Sequence, residues 1–133
     1  MRICYIGKDG GKDSTVWGFW LIEIKQFFSV AFLCFENGSR NAYHSHAFNA
    51  VSWVLRGHLE EDLLLTPDRL THRTYKASLR PILTRREDMH RVTSRGRTGV
   101  LTFRGPWRNT WREYLPETDR ALTLTHGRQE VNA

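Results

Sequence analysis

Hydrophobic and polar positions alternate along this chain in short blocks. Apolar or aromatic runs occupy residues 17–24, 27–35, 48–55, 59–65, 75–83, 89–92, 100–103, 111–115 and 121–125. Turn-forming groups separate them: Glu36-Asn37-Gly38-Ser39, Gly57, Thr66-Pro67-Asp68, Gly105-Pro106, Pro116 and Gly127. Runs of roughly four to nine residues, recurring about every ten, predict an all-β domain, an antiparallel sandwich or barrel. A helical repeat is not sustained over about 12 residues anywhere; residues 60–70 leave room for one helical turn.

The length of 133 residues fits one domain spanning the whole chain. A Gly-rich turn is expected at about residues 7–15, ahead of a barrel at about residues 16–127. With 40% hydrophobic and 12% aromatic residues, the chain can bury a core, which argues against disorder. The longest apolar run, 27–35, is too short to span a bilayer, which takes roughly 20 residues. The N-terminus has no signal-peptide pattern, because Lys8, Asp9, Lys12 and Asp13 interrupt it, so a cytoplasmic location is expected. Cys4 and Cys34 sit in apolar surroundings and read as buried free thiols rather than a disulfide framework.

Charge adds a question about partners. The net charge is +6, and 16 of the 20 basic residues are Arg. Arg offers a planar, bidentate grip on carboxylate or phosphate, so a small anionic ligand is one expectation. Nucleic acid is a weaker one, since no nucleic-acid motif accompanies the charge. Many of the arginines fall in the second half of the chain. Arg80 and Arg104, inside otherwise apolar runs, are the candidates for an anion clamp; the plain alternative for each is a solvated outer face.

Two motifs carry candidate chemistry. Asp9-Gly10-Gly11-Lys12-Asp13-Ser14 resembles the pyrophosphate-cradling loop of ATP pyrophosphatases. Such a loop should open a helix, but Val16-Trp17-Gly18-Phe19-Trp20 follows, an aromatic and strand-like stretch, so a polar turn is the better reading. The second motif places His44 and His46 at i and i+2. On a strand this spacing points both imidazoles to one face, where they can converge on a metal ion. His58 and His72 lie in polar turn regions and read as solvated; His126 reads as structural.

Gly38, His44, His46 and Gly57 resemble the first signature of the cupin family, Gly-x5-His-x-His-x3-Glu-x6-Gly, with Ala50 in place of the Glu. Phe103-Arg104-Gly105-Pro106 and Trp111-Arg112-Glu113-Tyr114 are similar to stretches of small single-domain bacterial and phage cupins. The resemblance covers about residues 15–127 and implies a jelly-roll barrel with a third His on a later strand. His90 takes that place by position, although the residues around it fit the second signature poorly.

By that resemblance, His44, His46 and His90 would hold a divalent metal, with Fe first and Zn, Ni or Mn as alternatives. The absent Glu weighs against Mn, and either Glu87 or Glu113 could replace it. A His-only site resembles that of the thiol dioxygenases, which implies an Fe(II)-dependent oxygenase acting on a small anionic substrate. Arg80, Arg104 and Trp111 would form the substrate site. The alternatives are a non-redox cupin serving as a ligand-binding, regulatory or isomerase module, and a basic nucleic-acid- or protein-interaction protein. Cupins commonly pair, so a homodimer is expected, with residues 17–20 serving either as the contact or as core.

Overall fold

In the computed structural model, residues 1–10, 14–38, 43–66, 68–115, 117–125 and 129–130 are described, the last two by their backbone alone. Gly11, Lys12 and Asp13 of the Gly-rich string, Ser39, Pro67, Pro116, His126 and Gly127 lie outside them. The described residues contain strands and no helix. In chain order the strands are β1 (Arg2–Lys8), β2 (Val16–Ile24), β3 (Phe28–Phe35), β4 (Tyr43–His44), β5 (Ala50–Arg56), β6 (His58–Thr66) and β7 (Arg69–Lys76). They continue with β8 (Ile82–Thr84), β9 (Met89–Ser94), β10 (Thr98–Arg104), β11 (Thr110–Leu115), β12 (Arg120–Thr125) and β13 (Gln129–Glu130).

They form two antiparallel sheets. One has the order β1-β2-β3-β10-β5-β8, the other β13-β12-β11-β4-β9-β6-β7. The inner faces hold the core: Trp20, Ala31, Leu33, Val54, Leu59 and Val100, with Val16, Phe35, Tyr75, Ile82 and Val92 packed against them. Ala47, Phe48 and Ala50 form a second apolar group with Trp107 and Trp111. The all-β expectation holds.

The strand boundaries depart from the sequence pattern in three places. β1, β4, β7 and β13 have no counterpart among the expected runs; Arg69–Lys76 is largely polar and exposed, with only Thr71 and Tyr75 half-buried, so it lacks the alternation that marks a half-buried strand. The expected run 75–83 is not one strand, because β7 ends at Lys76 and β8 begins at Ile82. Residues 60–66 and 69–70 lie in the strands of the β6–β7 hairpin rather than in a helical turn, with Glu60 opposite Thr74 and Leu64 opposite Leu70.

The two glycines of the signature have conformational reasons. Gly57 joins β5 to β6 with φ +98°, and a Cβ there would come within 2.5 Å of the Arg97 carbonyl oxygen. Gly38 has φ +104° and pairs with Ser94 through reciprocal backbone hydrogen bonds of 2.9 and 3.0 Å. Both conformations lie where a side chain is disfavoured.

Both cysteines are exposed, contrary to the buried-thiol expectation. Cys34 lies on the outer face of β3 between Trp17 and Gly99, and Gly99 has no side chain to cover it. Cys4 sits in the edge strand β1 with φ 52°.

Candidate metal centre

The site begins with a row of side chains across the second sheet. Glu113 on β11 stands opposite His44 on β4, His44 opposite His90 on β9, and His90 opposite Leu63 on β6. Opposed residues of an antiparallel pair project to the same face, so this row points inward. β4 contains only Tyr43 and His44, so His46 lies just past its end. The chain stays extended there because Ser45 is tied to β11: its N–H donates to the Arg112 carbonyl at 2.8 Å, and its hydroxyl accepts the Arg112 N–H at 2.9 Å. His46 therefore returns to the same side as His44.

The three imidazoles form a near-equilateral triangle. Ring centroids are 4.9 Å apart for His44–His46, 4.8 Å for His44–His90 and 5.0 Å for His46–His90. One nitrogen from each ring falls within 4.8 Å of the other two. His46 Nδ1 and His90 Nε2 are buried without a hydrogen-bond partner. Buried polar nitrogens are normally satisfied, so two such atoms among three clustered rings mark a place a cation can fill. Loss of water around the ring holds the His46 pKa well below the usual imidazole value, with repulsion from His44, His90 and Arg104 adding to it. A neutral imidazole is the form that ligates a metal.

The cluster lines a cavity of about 330 Å³, whose other walls include Phe48, Trp107, Trp111, Lys25, Arg104 and Glu113. The Phe48 ring lies tilted against both His46 and Trp107, with centroid distances of 5.1 and 5.0 Å. The donor set suits a divalent transition metal, which three imidazoles would leave with open coordination positions, and all three residues line the cavity.

Solved structures share this fold. An Fe(II) form of HppE matches with a TM-score of 0.61 at 13% identity, covering 75% of this chain and 55% of that one. An RmlC-like cupin from Shewanella frigidimarina matches at 0.57 and 15% identity, covering 79% of this chain and 86% of that one. The chain has a cupin fold. A sugar phosphate isomerase of the cupin superfamily from Silicibacter pomeroyi also matches, at 0.60 and 14% identity, over 89% of this chain and 76% of that one. The match spans little more than half the length of the HppE chain. No family model and no curated protein matches the sequence.

The other residues singled out in the sequence divide between the cavity and the surface. Trp111 lines the cavity, half-buried against Trp107. Glu113 also lines it, 5% exposed, beside His44 but outside the triangle. Glu87 does not reach the centre: its side chain is 66% exposed and lies 3.6 Å from Arg86. Arg80 is exposed, sits in a bend before β8 rather than inside a strand, and does not line the cavity. The strand expected around it is broken there.

Arg104 is in the cavity wall, 5% exposed, with its guanidinium 4.6 Å from the Phe48 ring. Its fork is already engaged, because Nη2 donates to Asp9 Oδ2 at 2.6 Å and Nη1 to Oδ1 at 3.3 Å. Several other arginines pair on the surface: Arg95 with Glu60, Arg97 with Glu36 and Arg91 with Asp62. His58 and His72 stand on β6 and β7 rather than in turns, and His72 Nδ1 lies 2.8 Å from Asp62.

Sequence reasoning missed Asp9, Lys25, Trp107 and above all Glu61. Glu61 Oε2 lies 2.6 Å from His90 Nδ1, and Tyr75 Oη donates to Glu61 Oε1 at 3.2 Å. A signal for Glu61 was present. In Leu59-Glu60-Glu61-Asp62-Leu63 it takes the alternate position between two leucines, a carboxylate on the apolar face of a strand. Asp9 carries no such signal, since it is brought to Arg104 only by folding.

Proposed function

We propose that this cupin holds a divalent metal through His44, His46 and His90, with iron first, and acts as an Fe(II)-dependent oxygenase on a small anionic substrate. The observation that carries the reading is the triangle of three imidazoles, two of them with unpartnered buried nitrogens, on the wall of a 330 Å³ cavity. The metal, when bound, would supply a Lewis-acidic and redox-active centre with open positions for substrate and O₂.

The remaining walls select and orient. Phe48, Trp107 and Trp111 exclude water from one side of the cavity. Arg104 and Lys25 bring positive charge to it, with Lys25 Nζ held 4.7 Å from the Trp107 ring. A substrate carboxylate or phosphate would meet Arg104 in competition with Asp9. Glu113, buried beside His44, is placed to take part in charge balance or to move a proton at the substrate.

Purified protein should carry close to one equivalent of metal by elemental analysis, and His44→Ala or His90→Ala should lose it at least tenfold. Full metal content in both variants would overturn the site. Bound iron together with O₂ consumption on anionic thiols or dicarbonyls supports the oxygenase. A redox-inert metal with no O₂ uptake would instead assign a ligand-binding or isomerase role.

A further inference from the structure

A cupin signature without its Glu leaves a cation facing three neutral ligands, yet a buried carboxylate stands close by on another strand. Glu61 is 8% exposed and projects from β6 toward β9. Its Oε2 meets His90 Nδ1 at 2.6 Å in a wholly buried contact. An ionised carboxylate can only accept, so the proton of the imidazole sits on Nδ1 and the lone pair on Nε2. That Nε2 is the buried atom with no hydrogen-bond partner, on the side of the other two imidazoles. Behind the carboxylate, Tyr75 Oη donates to Oε1 at 3.2 Å, which fixes the plane of the group.

Resting on the three-His reading above, we propose that Glu61 is the positioning residue of the centre. It locks His90 in the tautomer that ligates through Nε2, and it moves the anionic charge missing at Ala50 to the far side of His90. The relocation has a chemical consequence. A carboxylate at the position of Ala50 would occupy a coordination site on the metal, as the Glu of the signature does. A carboxylate behind His90 lowers the charge of the site without occupying any. The centre then keeps positions open for a substrate that chelates through two donor atoms. Hydrogen bonds of this kind orient a ligating imidazole and strengthen its donation, and their loss typically weakens metal binding about 10- to 100-fold.

The test is Co(II) binding measured by competition with a chelator, in wild type, Glu61→Gln, Glu61→Leu, Tyr75→Phe and His44→Ala. Glu61→Gln keeps an acceptor but loses the charge, and about tenfold weaker binding is expected; Glu61→Leu loses both, and up to about 100-fold is expected. Tyr75→Phe should fall between wild type and Glu61→Gln. The visible bands of bound Co(II) should shift in both Glu61 variants. The melting temperature of the metal-free protein separates a positioning role from a structural one. Weakened Co(II) binding in a Glu61 variant whose apo form melts as wild type supports the proposal. Binding within twofold of wild type with an unchanged spectrum in Glu61→Gln, while His44→Ala loses the metal, overturns this inference and leaves the three-His site standing. Wild type that binds Co(II) no better than His44→Ala overturns both.

Discussion

At the scale of single residues, burial turns ordinary side chains into a candidate metal site. His46 is held neutral by loss of solvent and by two neighbouring imidazoles and Arg104. In the unfolded chain it takes up a proton near pH 6.5, whereas in the folded chain it does so only well below that. Between those two values the unfolded state binds more protons, so the stability of the metal-free protein falls as pH drops from 7 toward 5. Denaturant melts at pH 7, 6 and 5 should show a falling midpoint. In His46→Gln this part of the slope should be absent. Arg104 shows how context changes a reading made from residue type. Its sequence position suggests an anion clamp and it does hold an anion, but that anion is Asp9 of the same chain. Glu61 makes the opposite point: a single charged residue on an apolar strand face was a legible signal, and its partner His90 explains it.

At the scale of elements, the site depends on how short segments are held. β4 is two residues long, and the placement of His46 beyond it rests on the two hydrogen bonds between Ser45 and Arg112. The β5–β6 connection rests on Gly57, whose backbone has φ +98° and where an added Cβ would meet the Arg97 carbonyl oxygen and Thr98. Gly57→Ala therefore adds backbone strain of roughly 1–3 kcal/mol, with a steric clash on top. The expected result is a melting temperature lower by at least about 5 °C for a domain of this size. Gly38→Ala, with nothing within 4 Å of the added carbon, should show the strain alone and a smaller loss. Most strand positions could be read from alternation. β7 could not, because a strand this polar, with Tyr75 its one apolar contact to the core, carries no period-2 pattern.

At the scale of the whole molecule, the two sheets differ in what they show to solvent. On the second sheet, Glu60, Asp62, His72, Arg91 and Arg95 form paired charges on the outer face. The first sheet is apolar outside. One row runs Ile3, Ile22, Val30, Phe103, Val51 and Leu83 across all six strands. A second runs Ile6, Phe19, Phe32, Leu101 and Trp53 across five. Phe32, Phe103, Ile6 and Leu83 are exposed. The bulge between Trp20 and Ile22 turns Trp20 into the core and Ile22 outward.

At about 4.8 Å per strand the six-strand row is about 24 Å wide, the scale of a standard interface of roughly 800 Å² per partner. The self-pairing expected around residues 17–20 is accordingly proposed at this face, with a second copy as the occupant. Sedimentation velocity over a concentration series should show a dimer, and Phe32→Lys with Phe103→Lys should return it to monomer with an unchanged circular dichroism spectrum. A wild type that stays monomeric throughout, or that pellets only with lipid vesicles, would remove the dimer.

The sequence alone determined the all-β class, the glycine turns and the pairing of His44 with His46. Those properties are local: they follow from alternation, from backbone conformations that need glycine, and from the two-residue period of extended chain. His90 could be placed by the family resemblance alone, because its approach to His44 depends on β4 and β9, far apart in the chain, lying side by side. Tertiary structure alone decided that Glu87 and Arg80 point to solvent, that Asp9 sits on Arg104, and that Glu61 stands behind His90. Each depends on which strands become neighbours, and long-range pairing leaves no mark in local hydrophobic pattern.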